Sequence, residues 1–137
     1  MTVSADDIKR MVDDAMAGME KLSEEDRASN KAKFAEVLGD KDKAAEMIKE
    51  ATDLIAAHDK DGDGKLNKEE FMAYAQAAWD QSASKGWKLP EPAPVSDWEF
   101  SFEAYCRAHG VTDGLTAEQI FVCAGQKQKA VKEAMGI

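Results

Sequence analysis

Long apolar runs are missing from this sequence. No stretch approaches the roughly 20 apolar residues that cross a bilayer, so we expect no membrane span. Cysteine is also scarce. The two that are present, Cys106 and Cys123, are too few for a disulfide scaffold. The opening residues are acidic and amphipathic, unlike a secretory signal. We therefore expect a cytoplasmic protein whose two thiols stay reduced and pack as small apolar groups.

Positive charge is in short supply. The chain has 18 Lys and Arg against 27 Asp and Glu, a formal net charge of -9. Such a chain repels phosphates, so we expect no nucleic-acid partner. The sequence also has no glycine-rich phosphate loop and no nucleophile–base–acid constellation, so we do not expect an enzyme. Its 137 residues, of which 44% are hydrophobic, suit one domain or two small ones that share a core.

Helical periodicity runs through almost the whole chain and predicts an all-α fold. Apolar residues recur at spacings of three and four, as on one face of a helix. Gly39 ends the second predicted helix, the third spans residues 43–57, and the fourth begins near Asn67. Other helices begin at a Ser or Thr that is followed three residues later by an acid or an amide. These start signals are Ser4, Ser23, Ser96 and Thr116.

Twelve residues between the third and fourth helices carry the strongest motif. Calcium takes six to eight oxygen ligands at about 2.3–2.6 Å, and acids at alternating loop positions can wrap around such an ion. Gly64 at the sixth position permits a sharp turn, and Leu66 at the eighth points towards the core. The predicted ligands are Asp59, Asp61, Asp63, the carbonyl of Lys65, Asn67 directly or through a water, and both carboxylate oxygens of Glu70.

This loop and its flanking helices, residues 43–82, resemble the EF-hand calcium-binding proteins. The resemblance implies a bound calcium ion, with magnesium as an alternative occupant of the same loop. It also implies a second hand, because EF-hands normally pair through short strands. The four acids of the loop repel one another without metal, so we expect ion binding to stabilise the fold.

A second, damaged copy of the loop follows later in the chain. Asp113, Gly114 and Leu115 repeat the centre of the first loop, but one residue is missing after the glycine. His109 stands in place of the first aspartate, and Gln119 in place of the bidentate glutamate. One carboxylate in a shortened loop is not expected to hold calcium. Two interpretations remain: a degenerate hand that pairs with the working one, or a plain helix–turn–helix.

The predicted organisation has four parts. Residues 1–39 form an N-terminal helical segment, either a vestigial hand that has lost its loop or a helical hairpin that covers the groove of the pair. Residues 40–85 form the functional EF-hand, and Asp40 is expected to cap a helix. Residues 86–96 form an extended connector, because they hold all three prolines. Residues 97–137 form the degenerate hand.

Several smaller features complete the prediction. His58 and His109 have no companion at zinc spacing except Cys106, so zinc is not favoured. Residues 126–132 are mildly basic and indicate the exposed face of a helix. The aromatic residues of the two hands are expected to share a core. They are Phe71, Tyr74, Trp79, Trp98, Phe102, Tyr105 and Phe121.

The function that this pattern favours is that of a calcium-responsive interaction protein or subunit, which docks an amphipathic helix of a partner. Two alternatives stay open. One is a cytosolic calcium buffer, although a single site gives little capacity per chain. The other is a structural subunit similar to light chains, in which the ion only stiffens the fold.

Overall fold

The computed structural model describes residues 2–136. The outermost residue of the predicted N-terminal segment and that of the predicted degenerate hand lie outside this range. Within it the fold is almost entirely helical, which confirms the all-α prediction. The elements are α1 (Ala5–Glu20), α2 (Glu24–Leu38), α3 (Lys41–His58), β1 (Lys65–Leu66), α4 (Lys68–Ser84), α5 (Val95–His109), β2 (Leu115–Thr116) and α6 (Ala117–Met135).

Side-chain caps define most of the helix starts. The hydroxyl oxygens of Ser4, Ser23 and Thr116 accept hydrogen bonds of 3.1–3.2 Å from the backbone amide three residues later. Asp40 caps α3 by accepting from the amide of Asp42 at 2.9 Å. Each cap satisfies a donor that the helix leaves free and stabilises it by about 1 kcal/mol. The starts at Ser4, Ser23 and Thr116 and the cap at Asp40 were predicted correctly, although α3 begins at Lys41 and not at residue 43.

The start of α5 was predicted wrongly at Ser96. The helix begins at Val95 with Pro94 as its N-cap, and no side chain caps it. The carbonyl oxygen of Pro94 already accepts from the amide of Trp98 at 3.2 Å. A proline at this boundary costs little, because a helix leaves its first amides unbonded in any case. The last two positions of the predicted connector therefore belong to α5.

The two N-terminal helices pack on different neighbours: α1 lies against α5 and α6, whereas α2 lies against α3. Two polar contacts anchor α1. The amide group of Gln126 bonds to both the amide and the carbonyl of Val3, at 2.8 and 2.9 Å. Arg107 reaches the carboxylate of Asp7 at 3.1 Å. Among the described residues, no helix combines the length and the apolar character that crossing a bilayer requires.

Aromatic rings from α4 and α5 form the centre of the core, as predicted. The ring of Phe71 lies 5.2 Å from that of Phe102 and 6.3 Å from that of Tyr105. Trp79 and Trp98 form a second pair at 5.8 Å. Aromatic pairs in such tilted or edge arrangements stabilise a core beyond the area that they bury.

The two cysteines are buried and free, in agreement with their prediction as small apolar groups. Burial raises the pKa of the thiols of Cys106 and Cys123, so both favour the neutral form. The sulfur of Cys123 lies 3.3 Å from Nε2 of His109, which places that histidine beside the core.

A short antiparallel sheet joins the two predicted loops. Lys65 pairs with Thr116 and Leu66 with Leu115, and both leucines are fully buried. Gly114 packs against the backbone of Leu66 in this pairing. A Cβ atom on Gly114 would lie only 2.9 Å from the carbonyl oxygen of Leu66. The close approach of the two loops therefore requires glycine at this position.

We expect Gly114→Ala to lower the free energy of unfolding by about 1–3 kcal/mol, because backbone atoms must move to admit the methyl group. Urea unfolding of the metal-free protein measures the change. Gly125→Ala is the matched control, since a Cβ there meets nothing within 4 Å. It lies inside α6 and should raise stability by up to about 1 kcal/mol. Equal stability of Gly114→Ala and the parent chain would contradict the close packing.

Candidate metal centre

Three aspartates converge in the loop between α3 and β1. One carboxylate oxygen from each of Asp59, Asp61 and Asp63 lies within 4.8 Å of the others. No other group of three or more acids, histidines or cysteines in residues 2–136 meets this distance criterion. Asp59 is the C-cap residue of α3 and is partly buried, whereas Asp61 and Asp63 are exposed. The loop thus presents a compact set of hard oxygen ligands that opens to solvent.

Backbone amides hold the three carboxylates in place. The amide of Gly64 donates to Asp59 Oδ2 at 2.9 Å, and that of Lys65 donates to Asp63 Oδ1 at 2.9 Å. The amide of Asp63 donates to Asp61 Oδ1 over a longer distance of 3.4 Å. Gly64 has a φ of 82°, a backbone conformation that residues other than glycine rarely adopt. The turn at this glycine therefore brings the first and fifth positions of the loop together.

One oxygen of this cluster has no hydrogen-bond partner. Asp59 Oδ1 is buried and accepts from no group in the described part of the chain, and it is the one such side-chain atom there. Leaving a buried polar atom without a partner costs about 1–3 kcal/mol, and more when it is charged. A cation in the loop would remove this cost.

The carboxyl groups also influence one another's protonation. The carboxylate of Asp63 beside Asp61 raises the pKa of Asp61 above its usual value. The amide of Lys65 donates to Asp63 and lowers the pKa of that carboxyl. The loop therefore holds Asp63 ionised at the expense of Asp61, as expected where like charges crowd together.

Glu70 lies apart from the three aspartates. It is the third residue of α4 and is only 6% exposed. Its Oε2 accepts from the amide of Lys60 at 2.8 Å, and its Oε1 accepts from the amide of Asn67 at 3.0 Å. Asn67 is the N-cap of α4, and its side chain accepts from the amide of Glu70 at 2.9 Å. Glu70 thus ties the start of the loop to its end.

Lys65, predicted to bind metal through its carbonyl, has a further contact that the sequence did not reveal. It lies in β1, and its ammonium group pairs with the carboxylate of Asp113 at 3.3 Å. This contact lowers the pKa of Asp113. In the second loop, Gln119 accepts from the amide of Thr116 at 3.0 Å and so completes a helix cap. The polar groups of the second loop are engaged in structural contacts.

We expect Asp61→Asn to raise the stability of the metal-free protein. A raised pKa in the folded state means that folding disfavours the charged form of Asp61, so its neutral isostere relieves repulsion. Urea unfolding in the presence of a chelator measures the effect. Asp13→Asn, on the exposed side of α1, removes the same charge elsewhere and serves as the control. A midpoint for Asp61→Asn at or below that of the control would show that the loop is not strained by charge.

Comparisons with known proteins identify no relative of this chain. No protein-family model matches the sequence, and neither a curated protein nor a solved structure shows significant similarity to it. The arguments for the candidate metal centre are therefore its own residues and their geometry.

Proposed function

We propose that this protein binds one calcium ion in the loop of residues 59–70. The observation that carries the proposal is the convergence of three aspartates, together with a buried carboxylate oxygen that has no donor. Carboxylates, carbonyls and amide oxygens are hard ligands and favour hard cations over zinc or copper. The proposed ligands are Asp59, Asp61, Asp63, the carbonyl of Lys65, Asn67 directly or through a water, and Glu70.

Calcium is the ion that this ligand set favours. Calcium accepts irregular shells of six to eight oxygens, whereas magnesium demands a compact octahedron and keeps several of its waters. A loop that mixes flexible carboxylates with a backbone carbonyl suits the larger ion. Magnesium is expected to occupy the same loop more weakly.

The loop and the helices α3 and α4 are proposed to form an EF-hand. The segment from α5 to α6 would then be its degenerate partner. The antiparallel pairing of β1 with β2 supports this proposal, because it places Leu66 opposite Leu115, the two leucines that the sequences of the loops equate. The ion pair between Lys65 and Asp113 adds a second link between the loops.

Calcium binding is proposed to act through Glu70. Its two oxygens accept from the amides of Lys60 and Asn67 and keep further lone pairs, so this carboxylate can also move towards an ion in the loop. Because Glu70 lies in the first turn of α4, its movement would shift α4 relative to α3. The two helices and α2 line an open groove with apolar side chains that include Leu54 and Tyr74.

This groove is the proposed docking site for the amphipathic helix of a partner. Met47 lines it and is 40% exposed. Methionine adapts to varied partners and is common on such surfaces. The protein is thus proposed to be a calcium-responsive binding protein and not an enzyme.

We expect Glu70→Gln to weaken calcium binding by about tenfold or more, because it removes one of the charged oxygens that close the site. Calorimetric titration of the metal-free protein measures the affinity. Glu69→Gln is the control, since this exposed neighbour loses the same charge in the same helical turn. The parent chain should bind one ion. Equal affinities for the two variants, or two ions per chain, would contradict the single-site proposal.

We also expect calcium to expose apolar surface at the groove between α3 and α4. A hydrophobic dye should become more fluorescent when calcium is added to the parent chain, and it should not do so with Glu70→Gln at the same calcium concentration. Both proteins without calcium provide the baseline. Calcium binding without a change in dye fluorescence would overturn the responsive role and favour a buffer.

A further inference from the structure

A separate cavity lies where α1, α2, α4, α5 and α6 meet the proline-rich connector. Its volume is about 390 Å³, within the range of about 300–1,000 Å³ that is typical of small-molecule sites. No residue of the metal loop lines it. Its apolar walls include Met11, Leu22, Trp79, Pro90 and Trp98.

A lysine faces this cavity without a protein partner. Lys127 lies on α6, and its ammonium group makes no hydrogen bond or ion pair with the described residues. Burial lowers the pKa of Lys127, while the carboxylates of Asp97 and Asp14 act in the opposite direction. An ammonium group held in apolar surroundings without a contacting anion is a group that a ligand can satisfy.

The charged side chains around the cavity leave an excess of one positive charge, although the chain as a whole carries a net charge of -9. Lys21, Lys88 and Lys127 line it, against Asp14 and Asp97. The negative charge of Asp14 is further offset by Arg10, which lies 3.8 Å away. The local excess of cations favours an anionic group over a cationic one.

We propose that this cavity binds a small apolar molecule with a single carboxylate. The carboxylate pairs with Lys127, and the apolar body lies against Trp79 and Trp98, whose rings pack edge to face 5.8 Å apart. This binding is independent of the metal loop and of the groove between α3 and α4.

Asp97, the second acid of the cavity, is influenced by charges of both signs. Burial raises the pKa of Asp97, and the carboxylate of Asp14 acts in the same direction, whereas Lys127, Arg10 and Lys21 lower it. Neither acid forms an ion pair with Lys127 within the described residues, so a ligand carboxylate would supply the contact that this ammonium group lacks. A cationic ligand would instead meet three lysines.

Decanoate, decylamine and decanol test this proposal, because they share one apolar chain and differ in charge. Two of the three tryptophans line the cavity, so intrinsic fluorescence of the full chain can follow binding, and calorimetry can give the stoichiometry. We expect decanoate to bind at one per chain and about tenfold or more tighter than decylamine, with or without calcium. Tighter binding of decylamine, or equal binding of the two, would overturn the proposal.

Variants of Lys127 test the role of its charge. Lys127→Met should weaken decanoate binding by about tenfold or more and leave decanol binding within about twofold, because it keeps the apolar volume. Lys127→Arg should retain decanoate binding. Lys129→Met, at an exposed position of the same helix, is the control and should change neither. Unchanged decanoate binding by Lys127→Met would overturn the proposal. If Lys127→Met does not fold, the relative affinities of the parent chain for decanoate and decylamine still test the proposal.

Discussion

The antiparallel contact between β1 and β2 is the constraint on which the rest of the structure depends. It is only two residues long on each side, yet it joins the two loops and brings Leu66 and Leu115 into the core. The helices that enter and leave each loop pack together from this contact, and the ring of Phe71 on α4 packs against Phe102 and Tyr105 of α5. A contact this close leaves no room for a side chain at position 114, so the pairing of the two strands requires glycine there.

The metal loop balances opposing requirements. Its backbone turns bring three aspartates together, which is favourable for a cation and unfavourable for the bare carboxylates. Amide donors compensate for part of the repulsion by fixing one oxygen each of Asp59 and Asp63. The negative charge of Glu70 is offset in a different way, because its two oxygens accept hydrogen bonds from backbone amides near both ends of the loop. The proposed calcium response depends on how far Glu70 moves when an ion is added to these contacts.

Local chemistry explains what could be predicted from the sequence. Caps such as Ser4 and Thr116 depend on residues three positions apart, and the loop motif depends on twelve consecutive residues. The start of α5 was predicted too late, because the helix begins after Pro94 through the carbonyl of that residue and without any side-chain cap for a sequence motif to reveal. The basic stretch near the C-terminus was expected to be exposed, but Lys127 faces a cavity. That cavity forms only where six separate segments meet, and no local pattern reveals such a meeting.

Lys65 occupies a junction between the two loops. Its amide donates to Asp63, its backbone pairs with Thr116, and its ammonium group holds Asp113. Lys65 thus links a carboxylate of the first loop, Asp63, to a carboxylate of the second, Asp113. The second loop can therefore act as a built-in reporter: the NMR resonances of Asp113 should register events in the neighbouring loop without a probe being placed among the proposed ligands.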